Sequence, residues 1–157
     1  MKLIKLTVLF SLFILGMSSC ERREWEDYVV ENNNILMSGG QEVPANSSAA
    51  QGKIEANYNK ITKTLSYKVT WSGLSGNVTG FHIHGATDPG FNAGVIQNFS
   101  GYPTGPAGTY SGYVVADGQV FKEEEILGGK LYVNIHTALY PGGEIRGQLS
   151  GWKPTNQ

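Results

Sequence analysis

Cysteine is nearly absent from this 157-residue chain. Cys20 stands alone, so no internal disulfide can form and the fold has to rest on its core. Charge is sparse, at 16% of residues, and there is no basic surplus. From Cys20 onward 10 Lys and Arg face 13 Asp and Glu, a net charge of −3, which excludes the electrostatic footprint of a nucleic-acid partner. Long apolar runs are missing except for one at the N-terminus. What is abundant is glycine: 21 residues, with Val, Ile, Tyr and Thr between them, predict many short strands joined by tight turns and little helix.

The one apolar run has a definite character. Met1 to Lys5 carries two lysines, Leu6 to Met17 is apolar apart from Thr7, Ser11 and Gly16, and the small residues Ser18 and Ser19 precede Cys20. This is the order of a cleaved signal peptide over residues 1–19. As a helix the run reaches only about 18 Å, against roughly 30 Å of bilayer hydrocarbon, so it is too short for a permanent span. Met17-Ser18-Ser19-Cys20 resembles a bacterial lipobox, which implies lipidation of Cys20 and anchoring in the cell envelope on the extracytoplasmic side. Residues 20–34, charged and Asn-rich, read as a tether to a domain over residues 35–152, with 153–157 as a tail.

Within the domain the pattern has period two. Leu65, Tyr67, Val69 and Trp71 alternate with Ser66, Lys68 and Thr70, giving one dry and one wet face. Strands are expected at Ile35 to Val43, Lys53 to Tyr58, Leu65 to Trp71, Val78 to His84, Val95 to Phe99, Thr109 to Val115, Lys130 to Thr137 and Glu144 to Leu149. A short helical turn at Lys122 to Leu127, closed by Gly128 at its C′ position, completes the list. The fold class is all-β: one antiparallel Greek-key sandwich or flattened barrel of about eight strands.

Four blocks then carry a family likeness: Ser38 to Pro44 (SGGQEVP), His82 to Gly85 (HIHG), Gly129 to Thr137 (GKLYVNIHT) and Pro141 to Leu149 (PGGEIRGQL). In this order they resemble the signature segments of the CHRD domain, a family named for an extracellular antagonist of growth factors and also found on bacterial surface proteins. The resemblance implies the fold, and an extracytoplasmic binding role.

All three histidines fall in those blocks. His82 and His84, two apart on a strand, share a face at about 6.6 Å backbone separation, a gap that one metal ion can bridge. By the same parity Tyr132, Asn134 and His136 point away from Leu131, Val133 and Ile135, so every histidine lies on the non-core face. Imidazoles of this kind suit copper or zinc. Gly80 to His84 is also similar to the copper-ligand strand of copper/zinc superoxide dismutases, which implies His136 as a further ligand and Arg146 as the residue that attracts an anion. The bridging histidine of those enzymes has no counterpart, since 85–108 holds no histidine. The plainer reading is that the histidines bond across the sheet with Asn134 and Thr137 and fix loop ends. Arg146 is equally read as a member of a cross-strand ion pair with Glu144 or another carboxylate. The Gly- and Pro-rich stretch Gly85 to Gly108, with Phe91, Phe99 and Tyr102, is either the mouth of a binding surface or a closure for the end of the fold.

Two functions follow. The first is a non-enzymatic surface module for an extracytoplasmic protein, glycan or small molecule, held to the membrane by lipid, with Asn134 and Arg146 as ligand-contacting residues. The second is a mononuclear copper or zinc protein, or a dismutase-like redox enzyme, using His82, His84 and His136.

Overall fold

A computed structural model describes residues 28–155; the signal segment and Cys20 lie outside the described residues. Nine strands and one helix follow in order: β1 (Val29–Ser38), β2 (Gln51–Asn59), β3 (Thr64–Ser72), β4 (Val78–His84), β5 (Val95–Asn98), β6 (Gly108–Val115), α1 (Glu123–Leu127), β7 (Tyr132–Thr137), β8 (Ile145–Gln148) and β9 (Lys153–Pro154). A single 3-10 turn, Gly39–Gln41, follows β1.

The strands form one curled sheet in the order β5-β4-β7-β8-β1-β2-β3-β6, with β9 beside the first half of β1. Every pairing is antiparallel. Because β3 pairs with β6 and β4 pairs with β7, the chain crosses between the two halves of the sheet three times, from β3 to β4, from β5 to β6 and from β6 to β7. The result is a flattened barrel left open where β5 and β6 face each other.

Alternation explains the core. Ile54, Ala56 and Tyr58 of β2, and Leu65, Tyr67, Val69 and Trp71 of β3, all point inward and are buried. Phe81, Ile83, Val133, Ile135 and Ile145 do the same from the other half. Each such side chain contributes about 1.5–3 kcal/mol through burial. Phe99 and Tyr102 join them: Phe81 meets Phe99 edge-on at 4.5 Å and Tyr102 at 5.5 Å. The stretch after β4 therefore closes the end of the barrel with its aromatics, and only Phe91 is left exposed.

Several boundaries differ from the sequence reading, among them the start of β7 at Tyr132 and of β8 at Ile145, and three have a clear cause. β1 begins at Val29 because Val29 to Asn32 pair with β2, and Val30 and Glu31 pair with β9. The Asn run that masks the alternation is absorbed by a register shift between Asn32 and Ile35. The strand also stops at Ser38, where the 3-10 turn begins, rather than running to Val43. After α1 the left-handed residue is Gly129, φ 68°, one place later than expected, and Gly128 keeps helical angles.

Candidate metal centre

The β4–β7 register builds the site. Gly80 stands opposite His136, His82 opposite Asn134, and His84 opposite Tyr132. The parity read from the sequence thus brings all three histidines onto the outer face of adjacent strands, and one ligand nitrogen from each lies within 4.8 Å of the others. Room for two of the rings comes from Gly80. A Cβ there would meet His82 Cε1 at 2.9 Å and His136 Cδ2 at 3.3 Å.

Backbone carbonyls fix the tautomers. His84 Nδ1 lies 2.9 Å from the Ala93 carbonyl and His136 Nδ1 lies 3.0 Å from the Pro141 carbonyl. A carbonyl only accepts, so both Nδ1 atoms carry the proton and both Nε2 atoms present a lone pair. His82 Nδ1 lies 3.1 Å from His136 Nε2 and donates to it in the metal-free protein, while the other tautomer of His82, with its proton on Nε2, frees Nδ1 as a ligand. His84 Nε2 is buried and has no hydrogen-bond partner. An orphaned buried acceptor costs about 1–3 kcal/mol, and this nitrogen has no partner among the described residues.

Burial favours the neutral form of His82 and His136. Burial, then the neighbouring His136 and His84, push the His82 imidazole down to about 4. Burial also lowers His136, against the opposing pull of its bond to Pro141. Neutral imidazoles ligate metal ions.

The surroundings are polar and closed. His84 stacks flat on Tyr132, with ring centroids 4.6 Å apart and planes 6° apart, and the Arg146 guanidinium sits 3.5 Å from the same Tyr132 ring. Arg146 is 1% exposed. It donates to the Phe91 carbonyl at 3.0 Å, to Asn92 Oδ1 at 3.5 Å and to Gln148 Oε1 at 3.0 Å. Its guanidinium thus holds the loop after β4 against the sheet. Of the carboxylates open to it in the sequence reading, Glu144 or another, the one whose charge acts on Arg146 is Glu42. Glu144 falls just before β8, outside the strand parity, and its carboxylate accepts from the Ser48, Ser75 and Thr137 hydroxyls and the Ser75 amide at 2.6–2.8 Å.

Asn134, 2% exposed, presents Oδ1 3.0 Å from His136 Nε2 and turns its amide nitrogen to the Glu42 carboxyl. Burial raises Glu42 to about 7, against the lowering effects of Arg146 and Asn134, and its Oε1 has no partner. Sequence reading named the histidines, Asn134 and Arg146. It missed Glu42, Tyr132 and Gly80, and the carbonyls of Ala93 and Pro141. Gly80 and Tyr132 carry a readable signal, since both share the histidines' face by strand parity; the carbonyls carry none.

A family model for the CHRD domain matches residues 34–149, which takes in every residue of this site. The chain belongs to the CHRD-domain family. No curated protein and no solved structure matches it. The CHRD domain is therefore the curled barrel itself, and the histidine cluster lies on the outside of its β4-β7-β8 half.

Proposed function

We propose that this CHRD domain binds a single transition-metal ion at His82, His84 and His136, on a protein tethered to the cell envelope through lipid on Cys20. The observation that carries this reading is the pair of backbone carbonyls. Ala93 and Pro141 hold two histidines in the tautomer that turns Nε2 lone pairs outward, with a third ring close enough to share one ion. A hydrogen-bonded structural cluster needs no orphaned nitrogen, whereas His84 Nε2 is one. Three imidazoles without sulfur favour copper or zinc. The protein's share is to orient the ligand rings, which the Ala93 and Pro141 carbonyls do. Incubating the purified protein with copper or zinc, then measuring metal content after desalting, tests the reading. One ion per chain is expected, and none in the His136→Ala variant.

A second reading, a module for a protein partner, is favoured by the open side of the barrel. A cleft of about 460 Å³ lies between β5 and β6, lined by Ile96, Gln97, Tyr113, Val115 and Phe121 among others. Both strands have an unpaired edge, and Tyr113 is 70% exposed. Edges of this kind accept an added strand. Pull-down from envelope extracts with wild type and Tyr113→Asp separates the readings, because the histidine cluster is on a different face.

A further inference from the structure

The three-histidine site leaves a fourth position to be filled, and one atom already stands beside it. Asn134 Oδ1 is 3.0 Å from His136 Nε2, and His82 Nδ1 is 3.1 Å from the same nitrogen. Two atoms bound at about 2.1 Å to one ion stand about 3.0 Å apart at a right angle and about 3.4 Å apart at the tetrahedral angle zinc takes, so each pair needs to open by only a few tenths of an ångström. Both spacings are therefore those of neighbouring ligands.

The Asn134 contact is also poor without a cation. His136 Nε2 has no proton, because Nδ1 donates to Pro141, so a lone pair faces a carbonyl-type oxygen. Turning the amide over would aim its oxygen at the Glu42 carboxyl oxygens, which its nitrogen now faces. Glu42 thus sets which end of Asn134 faces the histidines. The fold makes space for that grip at Gly143, where a Cβ would come within 2.4 Å of Glu42 Oε1 and 2.8 Å of Asn134 Nδ2. Glu42 is 6% exposed, so its hold on the Asn134 amide is shielded from water.

We infer that Asn134 is the fourth ligand, binding the ion through Oδ1, and that Glu42 is a positioning residue that holds its amide nitrogen and keeps Oδ1 turned to the metal. The inference rests on the three-histidine reading and makes it a closed N₃O site.

The test is a zinc titration of the isotope-labelled full chain at pH 8, followed on the side-chain carboxamide carbon of Asn134. Oxygen coordination is expected to move that carbon downfield in step with the histidine signals. Affinity by chelator competition should fall at least about tenfold in Asn134→Ala. The exchanged pair Asn134→Asp with Glu42→Gln keeps both the oxygen and a donor behind it, and is expected to bind zinc within a few-fold of wild type. If Asn134→Ala does not fold, the wild-type carbon shift and the exchanged pair decide. Histidine signals that respond while the Asn134 carbon stays still overturn the fourth ligand and leave the three-histidine reading standing. A chain that takes up no zinc overturns both.

Discussion

Tyr132 and His84 lie face to face, centroids 4.6 Å apart, while the Arg146 guanidinium rests 3.5 Å from the same tyrosine ring. The stack joins three adjacent strands, β4, β7 and β8, on the outside of the sheet. It fixes the plane of the His84 ring, and the Ala93 carbonyl fixes its rotation.

Tyr132→Phe keeps the stack and loses only the 3.3 Å contacts of the hydroxyl with Ala93, so stability within about 1 kcal/mol of wild type is expected. Tyr132→Ala removes a 2%-exposed ring and leaves Arg146 over a void, a loss of about 3–5 kcal/mol. Urea denaturation of both variants checks the difference.

Gly80→Ala separates the site from the fold. A methyl group at this position meets the His82 and His136 rings at 2.9 and 3.3 Å, while the inward face of β4 is untouched. Metal affinity should fall about tenfold or more as the two nitrogens are displaced, with a stability change nearer 1 kcal/mol. Calorimetric titration beside a thermal melt reads both quantities. A variant that binds as tightly as wild type would mean that the rings do not need this space.

Much of this was legible in the sequence. Period-two alternation located β2 and β3, each with one dry face, and strand parity put His82, His84, Asn134 and His136 together. Glu42 was not legible, because a glutamate after a 3-10 turn has no periodicity, and its burial depends on Arg146 and Gly143 from a distant hairpin. The early start of β1 was hidden by Asn32 to Asn34 and by a partner strand, β9, more than a hundred residues away. Glu144 was misplaced by one assumption, that β8 begins there and not at Ile145.

Glu144 gives a pH signature. Burial pushes its carboxyl up, but bonds from Thr137, Ser48 and Ser75 outweigh this and leave it below its ordinary value. A carboxyl lowered in the folded state adds stability that is present above the unfolded value, about 4.3, and lost as pH falls through the folded one. Glu144→Gln should be destabilised by about 3 kcal/mol at pH 7, with a smaller further loss than wild type below pH 4. Stability curves against pH for the two proteins test this; parallel acid limbs would contradict it.

The central claim is that the outer face of β4 and β7 is a metal site. The most direct measurement is calorimetric titration of the purified protein with copper and with zinc, beside His82→Ala, His84→Ala and His136→Ala. Saturable binding of one ion per chain, weakened at least about tenfold by each substitution, is the expected result. A wild-type protein that binds neither ion, or variants that bind as tightly as wild type, would contradict it.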